Sequence, residues 1–336
     1  MRRALIGAGL LVAMLAFGFG VYQVAGHLRS TRNQVHKPTE VNAPSLPGTV
    51  YVIQSGAIYR LHKGTFKQVT GEEGWTQPSA APDNQLVAVR QDLNYSDMYL
   101  LNDAGDTVSQ LTHDASKTSV ESNHWVFYPR FSPDGTTVFY DFDPKDAGAT
   151  YRVDLAIFAS RLDSRSRAVV WTRPNDYTGG DVSPIPLRTG ALVYTKYSID
   201  TRSQVISQIW IQRRAGSPGL ALTTPEMGCY KAAVSPDETS IAMLCNRGSN
   251  QYSDLLVATF DAQNLVLGPP TTLVSQQLAA SPAFSPDGKT IAFLAPTAPG
   301  GPFQLWTVGA AGGSPARSLT TNLNLDADSA PVWVQG

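Results

Sequence analysis

FSPDGTTVFY at residues 131–140 and FSPDGKTIAF at 284–293 are nearly the same ten residues written twice. They lie 153 residues apart, which is three steps of 51. A step of 51 from Phe131 lands on Val182 in VSPIPLRTGALVY, and 52 more land on Val234 in VSPDETSIAM. A step of 51 the other way lands on Ala80 in AAPDNQLVAV, where Pro82 and Asp83 keep the Pro-Asp pair. The last residues, APVWVQG, put Pro331 and Trp333 where SPAFSPDG has Pro282 and Phe284. The chain therefore holds six versions of one phrase about 50 residues apart, the sixth cut off after its first strand.

A period of this size signals an array of one supersecondary unit. After each turn come apolar residues two apart, such as Val87 and Val89, Val138 and Tyr140, Ile241 and Met243, Ile291 and Phe293. Period two is the strand repeat, and apolar residues between them (Ala88, Phe139, Ala242, Ala292) suit a strand covered on both faces. A further strand follows in each repeat, as in SDMYLLND or SQIWIQRR, and most repeats end in a short piece such as SQLTHD or RSLTTN. Four strands per repeat and no helical stretch point to an all-β, six-bladed β-propeller, the architecture that repeats four-stranded sheets radially. GTVYVIQSGAIYRLHKGTFKQVT (48–70) supplies three strands with no phrase before it, and APVWVQ supplies one with nothing after it. Together they make the sixth blade, closing the ring and removing an open sheet edge.

The phrase resembles the WD-like repeat of TolB-type β-propellers, which also occurs in the propeller domains of prolyl oligopeptidase relatives. The resemblance covers residues 48–336. It implies the propeller fold and, by likeness to TolB-type proteins, a role in binding periplasmic partners. TolB-type proteins carry another domain before the propeller, where this chain has a different segment. Prolyl oligopeptidase relatives keep their catalytic residues in a hydrolase domain that has no counterpart here.

Each residue of Ser-Pro-Asp-Gly has a structural task in a turn: Pro fixes φ, Asp bonds nearby amides, and Gly takes the left-handed conformation. The blade turns are expected at Pro82 and Asp83, at Pro133, Asp134 and Gly135, at Pro236 and Asp237, and at Pro286, Asp287 and Gly288. At 182–187 the phrase is reduced to Ser183 and Pro184. A radial array holds these turns apart, so their Asp side chains are not expected to converge on a metal. The one weak metal candidate is DFDPKD, where Asp141, Asp143 and Asp146 share an inter-strand loop that could bind Ca²⁺.

The uncharged stretch from Ala4 to Gly26 would span roughly 35 Å as a helix, enough for a bilayer core. Residues 1–26 are thus expected to be a cytoplasmic stub and transmembrane anchor, or else a signal peptide whose removal would leave a secreted ring. Residues 27–47, with Pro38, Pro44 and Pro47, read as a semi-extended tether before a propeller over 48–336. Positive charge on both sides of the apolar stretch leaves its orientation open. Cys229 and Cys245 each lie eight residues from Asp237, so a hairpin centred there would place them opposite one another or one position off. A disulfide between them is expected, and with it an oxidising, extracytoplasmic location.

A net charge of −1 with 16% charged residues gives no basic surface for nucleic acid. There is no Gly-x-Ser-x-Gly elbow, His-Glu-x-x-His or Gly-rich phosphate loop, so no catalytic residue and no cofactor are assigned. Tyr95, Tyr151, Tyr177, Tyr197 and Tyr252, with Trp75 and Trp125, fall in or beside loops where aromatic residues build recognition surfaces. The expected function is a membrane-tethered, extracytoplasmic platform for a protein or peptide partner. The alternative is a lyase or hydrolase acting on glycans or peptides in the central channel, which would need several ionisable groups converging there.

Overall fold

The computed structural model describes residues 39–40, 46–145, 154–163, 167–246, 252–275 and 277–335. The apolar N-terminal stretch lies outside them; among the described residues no helix is long and apolar enough to cross a membrane. Antiparallel strands form six sheets around one axis. Blade one runs from its inner strand Trp75–Ala80 through Leu86–Gln91 and Ser96–Leu101 to the outer Thr107–Gln110. The inner strands of blades two to five are Val126–Phe131, Asp181–Pro186, Cys229–Val234 and Ala280–Phe284.

Blade six takes its inner strand, Val332–Val334, from the end of the chain and the rest from Thr49–Gln54, Ala57–His62 and Thr65–Gln68. Val50 lies opposite Trp333 and Tyr51 opposite Val332, while the Trp333 indole donates to the Pro47 carbonyl at 2.8 Å. Thr39 and Glu40, which the sequence places in the tether, pair with Phe66 and Thr65 as a further outer strand of this blade. The ring is thus closed by both ends of the described chain.

Between each pair of blades lies its own apolar core. Tyr51, Ile58, Trp75 and Leu86 fill the space between blades six and one; Val193, Ile209, Met243 and Leu256 fill that between three and four. Successive residues of the middle strands face different neighbours, which explains the runs without polar alternation. Trp75, a candidate recognition residue by sequence, belongs to the first of these cores and is buried.

Two devices repeat along the chain. In the turn of blade two, Ser132 Oγ donates to Asp134 and accepts from the Thr137 amide, while Gly135 sits at φ 73°. The same bonds recur at Ser235 with Asp237 and at Ser285 with Asp287. The Ser hydroxyl, followed by backbone amides or a nearby Thr hydroxyl, holds Asp134 and Asp287 below the usual carboxylate range. Asn84 and Glu238 occupy the left-handed position that Gly135 and Gly288 fill elsewhere. The second device is a threonine near the outer edge. The amides of Ile58, Met98, Ile157, Ile209 and Leu305 donate to the hydroxyls of Thr70, Thr112, Thr172, Thr223 and Thr320 at 2.9–3.0 Å. The residue before each Thr returns a backbone bond to the same strand residue, so the hydroxyl extends the ladder where the outer strand ends.

Blade three departs from the sequence reading. Ser183 and Pro184 are not a worn copy of the turn; they lie inside the inner strand Asp181–Pro186. The turn is Leu187 to Gly190, closed by Gly190 N to Leu187 O at 2.9 Å and Leu187 N to Ala191 O at 2.9 Å. The interval of 51 found a real Ser-Pro pair at the wrong place in the blade, because the repeat before it is longer: the bulged residues Tyr128 and Ser183 lie 55 positions apart (183 − 128).

Cys229 and Cys245 are direct cross-strand partners and form a disulfide within blade four, their Cα atoms 4.0 Å apart. The closed loop spans 16 residues, so replacing both cysteines by alanine is expected to cost about 3 kcal/mol in equilibrium unfolding. Stability equal to the native protein's would show that the bond constrains nothing. Removing residues 331–336 takes away the inner strand of blade six and the buried Trp333, and should lower Tm by on the order of 10 °C. An unchanged melting curve would contradict closure by the terminal strand.

Candidate functional site: the axial pocket

Each of the first five inner strands carries a β-bulge at the same point. The ladder slips between Thr76 and Ser79, between Val182 and Ile185, between Tyr230 and Ala233, and between Ala280 and Ala283; in blade two it slips around Tyr128. The first bulged residue is left-handed although none is glycine: Gln77 (φ 51°), Tyr128 (47°), Ser183 (58°), Lys231 (45°) and Ser281 (47°). Such backbone costs roughly 1 kcal/mol or more per residue and persists only where the surroundings enforce it. In four of the five the next residue is proline: Pro78, Pro129, Pro184 and Pro282. Proline has no amide to waste in a bulge that leaves the ladder.

The bulged amides are held by side chains of the preceding blade. Gln77 N donates to Ser329 Oγ of blade six at 2.8 Å, and Tyr128 N to Gln77 Oε1 at 2.8 Å. Ser183 N donates to Asp141 Oδ2 at 2.9 Å, and Lys231 N to Thr195 Oγ1 at 3.1 Å. The bulges turn these residues toward the axis, where they line one pocket with Arg130 and Asp328, so that all six blades contribute. The pocket contains about 460 Å³ of space between atoms, part of it open to solvent.

At the mouth, the Asp328 carboxylate gathers three donors. Tyr128 OH donates at 2.7 Å, Lys231 Nζ at 2.5 Å and Gln77 Nε2 at 2.9 Å. Burial pushes the Asp328 carboxyl up, but the Lys231 ammonium and the Tyr128 and Gln77 donors outweigh it and hold the group below its usual range. The Tyr128 hydroxyl moves far above the ordinary phenol range, through burial first and the Asp328 charge second. Both shifts lead away from neutral pH, so neither group exchanges a proton readily there, whereas general acid–base work needs a pKa near the operating pH. Beneath the floor Asp141 is wholly buried, with Oδ1 unpartnered, and burial raises its carboxyl well above the usual value.

Trp125 and Phe127 continue from Tyr128, which lines the pocket, as a run of aromatic residues on blade two. Trp125 stacks on Phe127 with centroids 5.9 Å apart, and Phe127 lies 6.5 Å from Tyr128. Of the other aromatic candidates, Tyr177 and Tyr252 are exposed on the rim, whereas Tyr151 lies outside the described residues. The acidic loop candidate is divided: Asp141 serves the Ser183 amide, Asp143 binds His124 Nδ1 at 2.9 Å and Lys145 at 3.2 Å, and Asp146 lies outside the described residues. Among the described residues no group of three or more His, Cys, Asp or Glu is placed to hold a metal ion. Sequence reasoning missed Gln77, Tyr128, Lys231 and Asp328. A signal was available in the recurrent Xaa-Pro pair that precedes three of the Pro-Asp turns by three or four residues.

No family model and no curated protein matches the chain. Solved structures do match. TolB from Acinetobacter baumannii superposes with a TM-score of 0.64 at 18% identity, over 85% of this chain and 66% of that one. A chain of a nidogen/laminin complex matches with a TM-score of 0.58 at 10% identity, over 84% of this chain and 97% of its own. An oligogalacturonate lyase in complex with manganese gives 0.54 at 13% identity, over 86% and 84%. The chain spans about two thirds of that TolB and shares the TolB-type six-bladed fold; at these identities the likeness is one of fold.

A second titratable group stands near His124 at the junction of blades one and two. Asp114 has a buried Oδ2 without a partner, and burial raises its carboxyl from the usual value to about 6. A pKa raised on folding favours the protonated native state, so its stabilising contribution is complete below about pH 4 and is lost as the pH rises through about 6. Asp114→Asn should therefore raise stability at pH 7.5, by about 1–2 kcal/mol after allowance for solvent screening. At pH 4 the difference should vanish. Urea unfolding of both proteins at the two pH values measures this, and an equal difference at both would contradict the shift.

Proposed function

We propose that the chain is a membrane-tethered, extracytoplasmic propeller whose axial pocket and adjoining aromatic strip dock a protein or peptide partner. The observation that carries this reading is the state of the pocket's polar groups. Tyr128, Lys231, Gln77 and Asp328 already satisfy one another on a ring fixed by neighbouring blades. Their pKa directions suit recognition rather than proton transfer. A rigid scaffold with a concave polar centre and partly exposed aromatics beside it is a common binding geometry. The disulfide supports an oxidising compartment, and the apolar run at 4–26 would serve as the membrane anchor, with 27–47 as the tether. The matching chain of the nidogen/laminin complex stands in a protein assembly, a precedent for a chain of this fold that binds a protein partner.

The test places a photo-crosslinking amino acid at Phe127, beside the pocket, or at Asp134, in a turn at the other end of the inner strand, in the intact chain in its native membrane. A protein adduct specific to position 127, weakened at least fivefold by Trp125→Ala, supports docking at this face. Absence of a position-specific adduct, together with turnover of a glycan or peptide that Tyr128→Phe abolishes, would replace this reading with that of an enzyme.

A further inference from the structure

Arg130 is the one charged group of the axial pocket that makes no hydrogen bond or ion pair among the described residues. It lies on the inner strand of blade two opposite Phe139, just beyond the bulge, and its side chain lines the pocket with Ser183, Lys231 and Ser281. The other two charges of the pocket, Lys231 and Asp328, neutralise each other at 2.5 Å. The pocket therefore carries one uncompensated positive charge. Burial without a counter-charge pulls the Arg130 guanidinium below its ordinary pKa, and the side chain, half-buried in the pocket wall, stays within reach of solvent and of a ligand. Asp141 does not relieve it: that carboxylate sits behind Ser183 and is not part of the pocket lining.

We infer that the floor of the axial pocket is a receptor for a single carboxylate group, with Arg130 as its principal contact and the hydroxyl of Ser183 beside it. This rests on the reading of the pocket as a binding site and names the ligand chemistry of that site. Guanidinium presents paired N–H donors that match the two oxygens of a carboxylate. The same fork also accepts a phosphate, and the two are separated by experiment. The pocket also holds a carboxylate already, since Asp328 is bound at its mouth by Tyr128, Lys231 and Gln77. A partner would insert an acidic side chain or a chain terminus past Asp328 to reach Arg130.

The experiment uses the full chain in detergent and follows its melting point in sodium formate and sodium acetate, against chloride and phosphate at matched ionic strength. The native protein should show a saturable rise with the two carboxylates and none with chloride or phosphate. Arg130→Gln should weaken the carboxylate response roughly tenfold or more, and without ligand it should melt no lower than the native protein, because it removes an unpaired charge. A purely structural Arg130 would show the opposite pattern: a lower melting point and an unaltered carboxylate response. Should Arg130→Gln not fold, Arg130→Lys, which keeps the charge and loses the planar fork, should retain a weakened response. No saturable rise with formate or acetate, an equal rise in the Arg130 variant, or a rise with phosphate alone would overturn the inference. Loss of the carboxylate response with the Phe127 adduct intact would leave the docking platform standing; a carboxylate response without that adduct would leave the anion site and remove the platform.

Discussion

The amide of each bulged inner-strand residue is held by a side chain of the blade before it, and most of the functional geometry depends on that bond. Gln77 is held by Ser329, Tyr128 by Gln77, Ser183 by Asp141 and Lys231 by Thr195. A left-handed Tyr or Lys is unfavourable in isolation. Here closure of the ring makes it the only arrangement in which a buried amide has a partner. The first of these bonds crosses the seam between the two ends of the described chain, so the strain at the axis and the pairing of Val50 with Trp333 depend on each other.

The consequence for function is preorganisation. Side chains that would otherwise lie along the strand face the axis, at fixed angles and from all six blades, and they reach one another there. Lys231 and Tyr128 meet Asp328 across sequence separations of 97 and 200 residues. A site assembled in this way pays little ordering entropy when a ligand arrives. It also leaves one pocket charge, Arg130, without a counter-charge among the described residues and open to a ligand.

The fold was legible because the repeated turn is chemically demanding. Pro at its second position, Asp to cap its amides and a left-handed fourth residue leave few alternatives, so the phrase survives in FSPDGTTVFY and FSPDGKTIAF and, with Asn84 or Glu238 in the glycine position, in blades one and four. The terminal closure and the opposed cysteines followed from counting along strands. The axial site was not legible in the same way. Its residues differ from blade to blade (Gln, Tyr, Ser, Lys, Ser), because what the fold demands there is a backbone conformation and a bonded amide rather than a side-chain type. The Ser183-Pro184 pair shows the hazard: by composition it passes for a fragment of the turn, and only the ladder assigns it to the bulge. The threonines that finish each blade were visible as a Thr-rich outer piece, but their bond to the neighbouring strand depends on register that spacing alone does not supply.

Amide hydrogen exchange tests the central claim, that ring closure locks the axial residues into a preformed site. The account predicts that the amides of Gln77, Tyr128, Ser183 and Lys231 exchange as slowly as those of the buried middle strands, through global unfolding alone, although they belong to bulges at an open pocket. Fast local exchange at these four positions, with the middle strands still protected, would contradict it.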